Sequence, residues 1–232
     1  MCQVDQIRIA RPADASGMLS VLAPFITDST TNFATQVPSL SAYTRQLTAG
    51  LAVYPALVCC QGETITGFAY ATRFREQAAY DWAAELTIYL SPAVQGQGLG
   101  RRLLTRLLQL LKKQHIAVAY SCLARPNPAS EGLHRSLGFR RLGAFPQSGY
   151  KGGQWIDIIW YEKRLRPEAP PKAFIPFSEI RSSESEPPDP EPPAAFTEMR
   201  PDAQGTEKDR ADDAAVDSDV MEGSTNDGST NG

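Results

Sequence analysis

Apolar residues recur between residues 6 and 166 at two spacings, every second residue in some stretches and every third or fourth in others. The first spacing predicts strands and the second predicts helices. Strands are predicted at QIRIA, YPALVCC, TITGFAYATRF, DWAAELTIYL, HIAVAYSC, FRRLGAF and QWIDIIWYEKRL. Helices are predicted through Met18–Leu22, from Ser39 or Ser41 to an end at Gly50, over Leu99–Gln114, and over ASEGLHRSLGF with an end at Gly138.

The predicted element order is βααβββαβαββ, which indicates one mixed α/β (α+β) domain with a mixed central sheet. Between the second and third of its strands, Gln61-Gly62-Glu63 has the composition of a hairpin turn. Cys59 and Cys60 are adjacent on the second strand, so we expect their side chains to point to opposite faces of the sheet.

A glycine-rich loop, SPAVQGQGLGR (91–101), joins a predicted strand to the longest predicted helix. Glycines at 96, 98 and 100 allow successive backbone N–H groups to point at an anion, and the helix adds its N-terminal dipole. Arg101 and Arg102 oppose that dipole, which an anion nearby would explain. The loop lacks the GxxxxGK[ST] pattern of nucleotide P-loops and the GxGxxG pattern of dinucleotide folds.

Charge divides the chain into two segments. Residues 1–166 hold 18 basic and 10 acidic residues, a net charge of +8, whereas residues 167–232 hold 5 and 16, a net charge of −11. The second segment is rich in proline and poor in aliphatic residues, which predicts a disordered tail. Two interpretations of this tail are open: a solubilising extension, or a segment that competes with anionic ligands of the basic domain. Within it, KAFIPFSEI (172–180) could dock on the domain or on a partner.

Several classes of protein are disfavoured. The four cysteines form no CxxC pair, which favours a reduced cytoplasmic chain over a disulfide framework or a metal site. The N-terminus lacks a signal-peptide pattern, and no apolar run reaches the roughly 20 residues of a membrane helix. Basic residues cluster on the helix after the glycine loop, and no nucleic-acid recognition motif is present. We therefore expect no metal, membrane or nucleic-acid partner.

Four segments resemble a known family in order and spacing: ELTIYL (85–90), PAVQGQGLG (92–100), NPAS to GF (127–139) with His134 between, and KGGQWID (151–157). Residues 5–166 resemble a GNAT-superfamily N-acetyltransferase domain. Residues 74–165 are similar to its phosphinothricin and methionine sulfoximine acetyltransferase branch. The resemblance implies the GNAT fold, acetyl-CoA as co-substrate, and the homodimer that is common in the branch.

The resemblance also implies a binding mode for acetyl-CoA. The end of the strand before the loop would pair through its backbone with the pantetheine arm, at Ile88, Tyr89 and Leu90. The loop would hold the pyrophosphate through Gln95, Gly96, Gln97, Gly98, Leu99, Gly100 and Arg101. Asn127 would cap the following helix and also hydrogen-bond the pantetheine.

Acetyl transfer to an amine needs a base for the amine and benefits from an acid for the leaving thiolate. Glu85 lies among apolar residues on its strand and matches the family's proposed base; a carboxylate in solvent, or one paired with an arginine, is the alternative. His134 stands where most of the superfamily has a tyrosine acid, and a structural role is equally open. The other histidine, His115, is expected at a helix C-terminus or in solvent.

The acceptor site is predicted from FREQAAY (74–80), which resembles the family's FRxRxAY loop. Phe74, Arg75 and Tyr80 match that loop, and a guanidinium there would grip a carboxylate. Gln77 replaces the second arginine. Four aromatic residues could wall the pocket or belong to the core: Phe33, Tyr80, Tyr150 and Trp155, with the core favoured for Trp155. Lys151 is predicted to be a surface or anion-binding residue.

The leading functional hypothesis is N-acetylation of the primary amine of a small amino acid or analogue, of the phosphinothricin or methionine sulfoximine type. A second hypothesis keeps the chemistry with another acceptor, such as an antibiotic, a polyamine or a protein N-terminus. The third is a non-catalytic acyl-CoA-binding regulatory module that acts through the acidic tail.

Overall fold

The computed structural model describes residues 6–166 and 171–183. Most of the predicted disordered tail, residues 167–170 and 184–232, lies outside the described residues. The strands are β1 (Gln6–Ile9), β2 (Ala56–Gln61), β3 (Thr64–Arg73), β4 (Ala83–Leu90), β5 (Val118–Ala124), β6 (Arg140–Lys151) and β7 (Gln154–Arg164). The helices are α1 (Ala15–Thr27), α2 (Leu40–Val53), α3 (Leu99–Lys113), α4 (Pro128–Ser136) and the short α5 (Phe177–Ile180). Up to β7 the order is βααβββαβαββ, as predicted.

The seven strands form one sheet in the order β1-β2-β3-β4-β5-β7-β6. All neighbouring strands are antiparallel except β4 and β5, which are parallel. A parallel pair needs a long crossover, and α3 supplies it between β4 and β5. The prediction of a mixed α/β fold is confirmed.

Helices cover both faces of this sheet. The leucine stripe of α3, including Leu103, Leu107 and Leu111, is fully buried in a core on one face. The apolar side of α1 and α2 forms a second core on the other face. Cys59 belongs to the first core and Cys60 to the second, as the alternation along β2 predicts.

Several element boundaries differ from those predicted by a few residues, and two of these differences have a clear physical reason. Helix α2 runs through Gly50 to Val53, because a glycine in regular helical conformation costs only about 1 kcal/mol and neighbouring side chains such as Leu51 are buried. Strand β6 extends beyond Phe145 to Lys151. Its pairing with β7 is irregular between Phe145 and Gly149, where Pro146 is tolerated because β6 is the edge strand.

The segment at 171–183, here called the C-terminal strap, packs on the domain. Phe177 is fully buried within the α3-side core. Gln114, at the end of α3, donates through Nε2 to the carbonyls of Val53 and Ile175 at 2.7 and 3.0 Å. Trp82 Nε1 donates to the Lys172 carbonyl at 2.7 Å. Of the two alternatives left open for residues 172–180, docking on the domain is the one observed.

Candidate active site

The centre of the site is a split in the sheet between β4 and β5. These strands pair only from Ala83 to Glu85, where Glu85 stands opposite Tyr120. On its other side β4 stays paired with β3 as far as Leu90. Beyond Glu85, the edge of β4 that faces β5 therefore turns backbone N–H and C=O groups into an opening rather than toward a strand.

A cavity of about 850 Å³ occupies this opening. It collects eleven of the residues predicted for the site: Glu85, Ile88, Tyr89, Leu90, Gln95, Gly96, Gly98, Gly100, Arg101, Asn127 and His134. The predicted residues Gln97 and Leu99 are not among its lining. Gln97 donates to the Ala93 carbonyl at 3.1 Å, and Leu99 is buried in the α3-side core.

The glycine loop has the backbone conformation that its sequence predicts. Gly96 and Gly98 have φ of 76° and 80°, a region that favours glycine, and Gly98 is the N-cap of α3. Glycine is needed at position 100 for close packing rather than for backbone conformation. A Cβ there would lie 3.0 Å from a methyl group of Leu133, so Gly100 permits α3 to pack closely against α4. Gln95 Nε2 donates to the Leu90 carbonyl at 3.0 Å and ties the loop to β4.

Two further predicted residues fix the start of α3 and the start of α4. Arg101 donates to the carbonyl of Ser136 at 3.0 Å, which holds its guanidinium at the end of α4. Asn127 is the N-cap of α4, and its Oδ1 accepts from the Ser130 N–H at 3.2 Å. The capping role predicted for Asn127 is thus present at the cavity wall.

Glu85 lies on the face of the sheet that carries α1 and α2, and its side chain is half-buried. Burial raises the pKa of its carboxyl, and the nearby charge of Arg75 opposes that shift. A carboxylate with a raised pKa, facing a cavity, is suited to accept a proton.

His134 approaches the cavity from the opposite face. It is buried, and its Nδ1 donates to the Ser130 carbonyl at 2.8 Å. Its Nε2 lies 3.0 Å from the Ser121 hydroxyl, and this nitrogen is the acceptor when the imidazole is neutral. Burial lowers the pKa of His134, partly offset by the bond to Ser130. Its protonated form is therefore disfavoured.

The aromatic residues of the segment FREQAAY (74–80) form a cluster beside Glu85. The ring of Phe74 stacks on Tyr120 at 4.4 Å and meets Tyr80 edge-on at 5.8 Å. The guanidinium carbon of Arg75 lies 4.3 Å from the centre of the Phe74 ring. These three predicted residues adjoin the site but do not line the cavity.

The other aromatic residues divide between the cavity and the surface. Phe33 lines the cavity, whereas Tyr150 and Trp155 lie at the tip of the β6–β7 hairpin, 5.3 Å apart between ring centres. The core placement favoured for Trp155 is wrong, because its side chain is 60% exposed. Position on a strand was not enough to predict burial, because most of the Trp155 side chain is left uncovered by the described residues.

Sequence reasoning also missed some residues of the site. Thr31 and Asn32, from the loop after α1, line the cavity, and the loop carried no motif that would have identified them. Cys122 lines it as well, and burial raises the pKa of its thiol to about 11. Lys151 is half-buried rather than on the open surface, and its Nζ donates to the carbonyls of Ile26 and Asn32.

Two negative findings apply to residues 6–166 and 171–183. They contain no group of three or more His, Cys, Asp or Glu side chains placed to hold a metal ion. No helix among them has the length and apolarity needed to cross a membrane.

Comparison with known proteins agrees with this geometry. Residues 7–160 match the family model described as an acetyltransferase (GNAT) domain. Phosphinothricin N-acetyltransferase of Streptomyces viridochromogenes is 32% identical over 175 residues, which cover 75% of this chain and 96% of that protein. The L-methionine sulfoximine/L-methionine sulfone acetyltransferase of Salmonella typhimurium is 37% identical over 122 residues, covering 52% of this chain and 70% of the relative.

A solved structure extends the likeness to the fold. It is the structure of yncA from Salmonella typhimurium with its cofactor acetyl-CoA, which has a TM-score of 0.70 and 29% identity, with 73% of this chain and 98% of that chain covered. The chain belongs to the GNAT acetyltransferase family. The predictions of an N-acetyltransferase, and of its resemblance to the phosphinothricin and methionine sulfoximine branch, are confirmed.

Proposed function

We propose that this protein transfers the acetyl group of acetyl-CoA to the primary amine of a small amino acid or amino-acid analogue. One observation carries the proposal: the opening between β4 and β5 brings Glu85, an unpaired strand edge and the glycine loop into one cavity. The names of the two relatives support the acceptor class, since phosphinothricin and methionine sulfoximine are both amino-acid analogues.

The shape of the cavity fits acetyl-CoA. The unpaired edge of β4 offers backbone hydrogen bonds to the amides of an extended pantetheine arm at Ile88–Leu90. Gly96 and Gly98 leave open space where side chains would stand, at the N-terminus of α3. Open space at a helix N-terminus is suited to binding a pyrophosphate. When bound, acetyl-CoA supplies a thioester whose carbonyl carbon can accept an amine.

Glu85 acts as the general base in this proposal. An ammonium has no lone pair, so the acceptor must lose a proton before its nitrogen can bond to the thioester carbon. The Glu85 carboxylate takes that proton, directly or through one water molecule. The carbon–sulfur bond then breaks, the nitrogen gives its second excess proton to water, and the thiolate takes up a proton. No covalent bond to the protein is needed.

His134 has two candidate roles: a general acid that gives the thiolate its proton, or a structural residue that does not. A general acid needs a protonated imidazole, but burial disfavours that form, and both ring nitrogens already have partners in Ser130 and Ser121. We propose that His134 joins α4 to β5 as a neutral side chain and that water supplies the proton. The general-acid role stays a prediction, which is tested by the effect of His134→Gln on kcat.

The carboxylate of the acceptor is assigned to Arg75, with Phe74 and Tyr80 as apolar neighbours. The Arg75 charge is close enough to Glu85 to affect its pKa, so a carboxylate held there would leave the α-amine within reach of the base. This position also disfavours a polyamine, which carries positive charge and no carboxylate.

The test is a thiol-release assay with acetyl-CoA against amino acids, methionine sulfoximine, phosphinothricin, spermidine and a short peptide. We expect turnover on the carboxylate-bearing small amines. In Glu85→Gln, kcat/KM should fall by about a hundredfold or more, the usual contribution of a general base. Glu63→Gln, at the exposed β2–β3 turn, is the matched control and should keep full activity.

Other outcomes contradict specific parts of the proposal. Turnover on spermidine or the peptide alone would move the acceptor to the alternative class. Acetyl-CoA binding without turnover on any amine would favour the regulatory module. Full activity in Glu85→Gln would remove Glu85 as the base and leave the transferase reaction in place.

A further inference from the structure

Lys151 ends strand β6 and reaches across to the first helix and the loop that follows it. Its Nζ donates to the carbonyl of Ile26 at 2.7 Å and to the carbonyl of Asn32 at 2.6 Å. Ile26 is in the last turn of α1, where carbonyls lack partners within the helix and the dipole favours a cation. One ammonium thus caps α1 and holds the loop over residues 28–34, here called the acceptor loop.

Asn32 is fixed at its side chain as well. Its Nδ2 donates to the Tyr89 hydroxyl at 2.8 Å, and its Oδ1 accepts from the Ala34 N–H at 2.7 Å. Tyr89 lies on β4 on the same face as Glu85 and packs against Phe25 of α1, with ring centres 5.0 Å apart. The Asn32 side chain therefore attaches the acceptor loop to β4, the strand that carries the proposed base.

The hairpin that carries Lys151 also packs closely against the acceptor loop. Phe33 lies so close to Gly149 that a Cβ there would come within 2.3 Å of the ring. Phe33, Asn32 and Thr31 all line the cavity. Any movement of the acceptor loop away from the hairpin would change the part of the cavity wall that these three residues form.

We propose that Lys151 is a positioning residue for the acceptor amine, acting by clamping the acceptor loop against β4 and β6. The inference rests on the proposed function for its consequence in catalysis, although the clamp itself is a property of the fold. Without the clamp, the loop opens, the acceptor wall is lost, and the acetyl-CoA part of the cavity at Gly96–Gly100 is unaffected.

The clamp is tested first without any substrate, by hydrogen–deuterium exchange of the full-length protein. In Lys151→Met, amides in a peptide spanning residues 28–34 should exchange about tenfold faster, because bonds from a charged donor are lost. Lys163→Met is the matched control. Its Nζ donates to the Leu137 carbonyl at 2.6 Å, so its loss should affect residues 137–139 and leave 28–34 unchanged. Unchanged exchange at 28–34 in Lys151→Met overturns the clamp.

The catalytic consequence is tested by kinetics on the best acceptor. Lys151→Met should raise the acceptor KM about tenfold with a smaller change in kcat, since ground-state positioning is lost, and should leave the affinity for acetyl-CoA unchanged. Lys151→Arg can donate to both carbonyls and should recover most of the effect. If Lys151→Met is active with an unchanged acceptor KM, the positioning role is refuted but the proposed function is not. If the unmodified protein shows no turnover, the proposed function is refuted, and the hydrogen–deuterium exchange result still decides whether the clamp exists.

Discussion

At the scale of single residues, the two candidates for acid–base catalysis in the cavity lie on opposite faces of the sheet. Glu85 stands on one face of the sheet with a pKa raised by burial, and His134 stands on the other face with a pKa lowered by burial. In both cases burial disfavours the charged form. The raised pKa of Glu85 lies nearer to neutral pH, which suits a general base. The lowered pKa of His134 lies further from neutral pH, which does not suit a general acid.

His134 should make stability depend on pH. Its pKa is below the ordinary 6.5 in the folded state, so below 6.5 the unfolded chain binds a proton that the folded chain does not. Its contribution to the free energy of unfolding is therefore complete above 6.5 and is lost as the pH falls toward the folded pKa. Urea unfolding at pH 8 and pH 5.5 measures this loss, which we expect to be smaller in His134→Gln.

The same variant decides between the two roles. A structural His134 predicts that kcat at pH 8 falls by less than about tenfold, whereas loss of a general acid costs about 10²–10⁴. His115→Gln is the control, because His115 is the other histidine of the chain and lies at the strap, where its Nδ1 donates to the Ala173 carbonyl at 2.7 Å. A hundredfold loss of kcat in His134→Gln, with stability retained, would contradict the structural role.

At the scale of elements, the C-terminal strap extends the domain beyond β7. It contacts three places that are distant in sequence: Tyr54 just after α2, whose ring meets Phe174, Gln114 at the end of α3, and Trp82 just before β4. Because β4 carries Glu85, the strap supports the strand on which the proposed base stands, from the end away from the cavity.

Phe177 is the apolar anchor of the strap, so Phe177→Ala should be strongly destabilising. Deleting a buried phenylalanine side chain removes apolar burial and leaves a cavity, at a cost of about 3–5 kcal/mol in the free energy of unfolding. Chemical denaturation of the full-length chain measures it. Lys172→Ala is the matched control, since only the backbone of that exposed residue bonds to Trp82. A loss under about 1 kcal/mol in Phe177→Ala would mean that the strap opens freely in solution.

At the scale of the whole molecule, the β6–β7 end of the sheet exposes a group of large apolar side chains: Leu142, Phe145, Tyr150 and Trp155. Strand β6 is also an edge strand. Exposed apolar patches and unpaired edges are features of association surfaces. They are compatible with the homodimer that the family resemblance implies, which stays a prediction.

The dimer prediction is checked by sedimentation equilibrium. We expect a species of twice the chain mass of 25.3 kDa. Phe145→Glu, which places a charge on this surface, should shift it toward the monomer, whereas Glu63→Gln at the opposite part of the sheet order should not. A wild-type monomer at micromolar concentration would refute the dimer; a dimer unaffected by Phe145→Glu would place its interface elsewhere.

The sequence by itself determined the order of elements, the glycine loop and the cap at Asn127. Each is set by local physics: apolar spacing, the backbone freedom of glycine at positive φ, and a side chain that bonds its own helix start. The family resemblance then supplied Glu85 and His134 and the class of reaction. Local rules failed at Gly50, where buried neighbours carry the helix onward, and at Trp155, where alternation predicts a face without showing whether anything covers it.

Only the tertiary structure decided how these pieces form a site. The split between β4 and β5 depends on which strands become neighbours across α3, which no local pattern encodes. The same is true of Lys151, whose partners at Ile26 and Asn32 lie more than a hundred residues earlier in the chain. Long-range contacts of this kind are fixed by the packing of the whole sheet, and they hold in place the cavity wall formed by Thr31, Asn32 and Phe33.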